Sequence, residues 1–249
     1  MQNIKLMILL LPLLLVNQNY GTTMYNDLVI DQPNQTIRID SPCDQLIIKK
    51  EAVNCHLTIN AHVHDNVFVE ADNCTIDCLK HASFGKKSWW YNWLWSWMSG
   101  SDNGNRFYIH GNNFKLCSYK KSIDASFTIH GNTANFDTSL SGSATIIGND
   151  CTINGSVNGS ARIEGNNSKI HDSVNGSATI LGNNCIIQDS INGSATISGD
   201  DCHIYGSVNG SLRVSGNHCK INGSVNGAAT VKGDTIISGG ICGSLNRTR

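Results

Sequence analysis

The sequence predicts an all-β, single-domain parallel β-solenoid of about ten coils with a 17-residue repeat, interrupted by a Trp-rich insertion. Three observations carry this. Blocks of one pattern begin at Ser139, Ser156, Ser173, Ser190, Ser207 and Ser224, a fixed step of seventeen residues, and self-similarity at a short fixed period marks units that bury their apolar side only by stacking. Within a block the apolar letters recur as Ala178, Ile180, Cys185 and Ile187, with Ile191 in the next, so two "apolar, any, apolar" steps flank Gly182-Asn183-Asn184. That is short strand, turn, short strand, because alternate strand side chains face opposite ways. Finally, each block holds several Gly, Asn and Ser residues, which favour turns and cost a helix about 1 kcal/mol per glycine.

The elements follow in chain order. Residues 1–21 place Lys5 ahead of an apolar run from Leu6 to Val16, broken only by Pro12. The run is short for a bilayer span of ~20 residues and has the length of a signal-peptide core, so export is expected, to the periplasm, the cell surface or the medium. Residues 22–48 read as an N-terminal cap, and residues 49–78 as divergent coils in which "AVNCHLTI" and "VFVEADNCTI" echo the repeat. Residues 106–243 are the solenoid proper, opening with "RFYIHGNNFKL" and "SFTIHGNTANF", and residues 244–249 are a short tail. At ~4.8 Å per coil the rod is roughly 50 Å long. Its ends are strand edges that need covering, so end-to-end self-association is an expectation.

Residues 79–105 are the one compositional break. All five tryptophans, Trp89, Trp90, Trp93, Trp95 and Trp97, lie there, preceded by Lys86 and Lys87. Three readings stay open. The rings fold onto a flank of the rod as a local core; they engage a membrane surface or protein partner, with the lysines meeting anionic groups; or they stack on glycans. Cys78 and Cys117 bracket this segment at what reads as one corner of two coils, which predicts a disulfide clamping its base.

Two further columns are architectural. Asn158, Asn175, Asn192, Asn209 and Asn226 recur at one position, each before glycine, and predict a ladder of stacked amides at a turn whose Asn-Gly pair suits positive φ. The same letters create N-x-Ser/Thr sequons at Asn154, Asn158, Asn166, Asn175, Asn192, Asn209 and Asn222, with others at Asn34, Asn73 and Asn246. Glycans on stacked asparagines ~4.8 Å apart would collide, so the ladder sequons read as by-products of the turn. Cys151, Cys185, Cys202 and Cys219 share the second column, Ser168 replacing one member, and are expected to point inward as small apolar fillers.

Charge is sparse at 15% and the net charge is −1, which excludes the basic field that nucleic acid requires. The sequence contains no Ser-nucleophile elbow, phosphate loop, H-E-x-x-H or EF-hand loop, so no catalytic residue, cofactor or metal site is assigned. His56, His62 and His64 invite a metal reading, but alternation on a polar outer face gives the same pattern. The Thr145, Thr179, Thr196 and Thr230 column is interrupted by Arg162 and Arg213, which breaks the flat threonine plane an ice-binding surface would use.

The block "SATIxGNNCxI", seen from Ile180 to Ile187, resembles parallel β-helix repeat proteins as a class. It also looks superficially like hexapeptide-repeat acyltransferases, but apolar steps of seven from Ile163 to Ile170, four to Val174 and six to Ile180 break a strict six-residue pattern. The resemblance implies a scaffold presenting a surface. Its alternative implication is a carbohydrate-active enzyme, which would need carboxylates clustered in a groove.

Overall fold

The computed structural model describes residues 25–85 and 106–248. The chain winds as a parallel β-solenoid of about twelve turns, with one twelve-stranded sheet (side A), one eleven-stranded sheet (side B) and a narrower third side (C). Every strand pairs in parallel with the strand one coil away, and no helix occurs among the described residues. Ile146, Ile163, Ile180, Ile197, Val214 and Val231 are consecutive partners in a single file on side A. Each is no more than 1% exposed, so the file is the inner wall of a dry bore. Side B contributes the parallel file Ile153, Ile170, Ile187, Ile204 and Ile221. Side C contributes Leu140, Val157, Val174, Ile191, Val208 and Val225, joined by single bridges.

The count exceeds ten because residues 25–48, expected as a cap, carry strands Leu28–Ile30, Thr36–Ile39 and Leu46–Ile48 of the same two sheets. These coils lack the Gly-Asn letters by which the others were counted. Residues 244–249 likewise include the strand Leu245–Thr248.

In the file where regular coils place Ala144, Ala161 and Ala178, the earlier coils place Phe107 and Phe127, stacked with ring centroids 4.5 Å apart. Phe114 and Phe136 are also buried in the same region. The step from Phe107 to its partner Phe127 is twenty residues, whereas Phe127 to Ala144 takes seventeen. Longer coils enclose a wider bore, and rings fill it at native packing density.

The corners explain the polar letters, with one correction. Left-handed backbone does not fall on the Asn158-Gly159 type of pair. It falls on the residue that ends the Gly-Asn-Asn turn, as at Asp150 (φ 57°), Asn167 (57°) and Asn184 (53°). Asn tolerates this conformation because its short amide bonds locally. Glycine after Asn158 has another cause, since a Cβ at Gly159 would lie 2.8 Å from the Gly142 carbonyl carbon of the coil beneath. The corner admits no side chain there.

Candidate functional site

Trp89, Trp90, Trp93, Trp95, Trp97, Lys86 and Lys87 lie outside the described residues. The described chain leaves for this segment after Ser83–Phe84 on side C and returns at Arg106–Ile109 on side A. Among the described residues side C is discontinuous at that point: Ser83–Phe84 pairs there only with His62–Val63, and the next side C residues, Ser122 and Ile123, pair onward with Ser139 and Leu140. Between them lies a cleft of about 240 Å3 lined by Cys78, Ala82, Ser83, Phe84, Ser118, Ser122, Ile123 and Asp124. A register shift between Cys117 and Ser122 bulges the chain, leaving Tyr119 76% exposed.

No disulfide joins Cys78 to Cys117. The register is offset by one residue: Cys117 stands beside Asp77, and Cys78 beside Ser118. Adjacent strand positions point to opposite faces, so Cys78 is buried while Cys117 faces outward. Both sit in strands rather than at a corner, which removes the freedom the expected bridge needed.

Outward Cys117 belongs to a titratable cluster on side B. Asp77, Cys117 and Asp137 occupy one outer file in three consecutive coils, and His56 Nε2 lies 2.8 Å from Asp77 Oδ2. Desolvation leads the causes that raise the Cys117 pKa, with the two carboxylates adding to it. A protonated thiol on an open face is a poor nucleophile at neutral pH. His62 is buried rather than on a polar outer face, and its Nδ1 is 2.7 Å from Ser83 Oγ. His56 is on side B, so the three histidines do not converge. Among the described residues no group of three His, Cys, Asp or Glu side chains is placed to hold a metal ion.

The amide ladder is built as rungs: Nδ2 of Asn175 donates to Asn158 Oδ1 at 2.7 Å, Asn192 to Asn175 at 2.7 Å, Asn209 to Asn192 at 2.8 Å and Asn226 to Asn209 at 2.8 Å. A second file, which the sequence reading overlooked, runs along the Gly-Asn-Asn turn. There the side-chain oxygens of Asn132, Asn149, Asn166 and Asn183 accept the backbone N–H of the equivalent residue one coil on, at 2.7–2.8 Å. The recurrence of Asn149, Asn166 and Asn183 at one offset was its signal.

The cysteine column is buried, but its members do more than fill space. Cys185 donates to Gly165 O at 3.2 Å, Cys202 to Gly182 O at 3.1 Å and Cys219 to Gly199 O at 3.2 Å. The Cys202 pKa is pushed up to about 11, chiefly by the neighbouring Cys185 thiol, and that of Cys219 is raised, chiefly by the Cys202 thiol. The same contact lowers that of Cys185.

At the far end of the rod, Arg247 takes the place in the side A file that Val231 holds one coil earlier. Its guanidinium donates to Thr235 O at 3.2 Å, laying a charge across the mouth of the bore.

Comparison with known proteins returned no match to a protein-family model, a curated protein or a solved structure. The fold therefore defines the class by itself: a parallel β-solenoid scaffold.

Proposed function

We propose that this chain is an exported structural or surface-interaction protein, a solenoid rod that presents its Trp-rich segment to a membrane surface, glycan or protein partner. The observation that carries this reading is the confinement of all five tryptophans to one insertion in a rod otherwise spent on stacking. Supporting it, the segment joins the rod where side C is broken among the described residues, and Tyr119 is exposed. Aromatic residues beside lysines suit interfaces between water and either lipid or a partner.

Because tryptophan occurs nowhere else, intrinsic fluorescence reports on this segment alone. Titration with phosphatidylcholine vesicles, with phosphatidylserine-containing vesicles and with a glycan panel should blue-shift the emission for one class. Cell fractionation should place the protein outside the cytoplasm. A silent spectrum, together with an unchanged pull-down after deletion of residues 86–105, overturns the reading.

A carbohydrate-active enzyme is the second reading, and the His56, Asp77, Cys117 and Asp137 cluster is what favours it. It requires polysaccharide cleavage that disappears in the Asp77→Asn, Asp137→Asn double variant.

A further inference from the structure

The ten sequons are chemically equivalent as letters, but the fold makes them unequal. N-glycosylation forms a bond from Asn Nδ2 to C1 of the first sugar. The donor is an oligosaccharide on a lipid pyrophosphate; its C1–O bond breaks, the pyrophosphate leaves, and the amide gives up one proton. The native use of each Nδ2 therefore decides whether a modified chain can stack.

Six sequon asparagines spend that nitrogen on the neighbouring coil. Asn73 donates to Asn54 at 3.1 Å, Asn154 to Asn135 at 3.2 Å and Asn166 to Asn149 at 3.2 Å, while Asn175, Asn192 and Asn209 are ladder rungs. Asn158 holds its Oδ1 toward the coil above, accepting from Asn175, which turns its Nδ2 toward the coil beneath at Ser141. A glycan at any of these seven wedges two coils apart.

Three remain. Asn222 is exposed on the outer face of side B, and only its Oδ1 is engaged, 3.1 Å from His203 Nε2. One coil earlier in the same outer file, Tyr205 is 47% exposed and offers a ring against which a first sugar can pack. Asn246 is exposed in the outer file of the strand Leu245–Thr248. Asn34 lies in the turn of the first described coil, where its Oδ1 accepts from Asn54 and no described coil lies beneath.

We propose that Asn34, Asn222 and Asn246 are the glycan acceptors of the folded, exported chain, and that the other seven sequons stay unmodified. This rests on the export reading, and the test separates the two. The full chain is secreted from eukaryotic cells in two forms, one with its own residues 1–21 and one with a heterologous signal in their place. Folded protein from the medium is treated with peptide N-glycosidase in 18O-water and mapped by mass spectrometry.

Label at Asn34, Asn222 and Asn246, with one glycan lost in each of Asn34→Gln, Asn222→Gln and Asn246→Gln, is the expected result. Label at Asn175, Asn192 or Asn209, or an unlabelled folded chain from the heterologous signal, overturns the proposal. If the chain's own leader fails while the heterologous form is secreted and labelled as expected, the export reading falls and the acceptor assignment stands.

Discussion

Gly182→Ala isolates the stacking of the Gly-Asn-Asn corner. A Cβ at Gly182 would lie 1.9 Å from Gly165 O and 2.6 Å from its carbonyl carbon, both rigid backbone atoms of the coil beneath. Ordinary contact begins near 3.4 Å, so the corner must open by more than 1 Å. That displacement stretches three bonds meeting there: Gly165 N–H to Leu181 O at 3.1 Å, Asn183 N–H to Asn166 Oδ1 at 2.8 Å and Cys185 Sγ to Gly165 O at 3.2 Å. At about 1 kcal/mol net for each bond, the loss is about 3 kcal/mol before any packing change. Gly240→Ala is the internal control, because a Cβ there meets nothing within 4 Å, and its effect should stay within about 0.5 kcal/mol. Urea unfolding followed by circular dichroism compares the midpoints, and amide hydrogen exchange tests whether the loosening centres on the coils at Gly165 and Gly182. Equal midpoints for the two variants would refute the close-approach account of this glycine column.

Three further outcomes follow from the same geometry. Asn192→Ala removes one rung above and one below, costing about 1 kcal/mol in a urea melt at this exposed corner; Asn192→Asp, whose carboxylate would face Asn175 Oδ1, should cost more at neutral pH than in acid. Cys202 binds its proton more tightly folded than unfolded, so its contribution is intact below the ordinary thiol range near pH 9 and is lost as pH rises toward its folded pKa of about 11. Calorimetric Tm should fall across that window, and less steeply in Cys202→Ser, a residue the file already accepts at Ser168. Arg247→Ile restores an aliphatic group to the side A file at the mouth of the bore, and sedimentation velocity should show increased self-association.

The period was legible because stacking forces like residues into register: Ile163, Ile180 and Ile197 share one file just as their spacing implied. Residues 25–48 hid their strands because the interior asks only for an apolar group of suitable size, which Leu28, Ile30 and Ile39 supply without repeat letters. Asn-Gly misled over the left-handed turn because glycine answers two needs, positive φ and close approach, and letters do not separate them. The Cys78 to Cys117 bridge failed by a single position of register, enough to invert a side chain on a strand. His62 and Phe107 went inside because upstream coils of irregular length enclose different volumes, which a fixed period does not encode.

Since each seventeen-residue turn touches only its two neighbours, copy number is a free variable. In-frame duplication or loss of one unit between Ser139 and Ser224 leaves every remaining interface of the same kind and alters only the distance between the strands Arg106–Ile109 and Leu245–Thr248, by about 4.8 Å per unit. Selection can thus adjust this molecule's reach as one adjusts a ruler, without redesigning its interior.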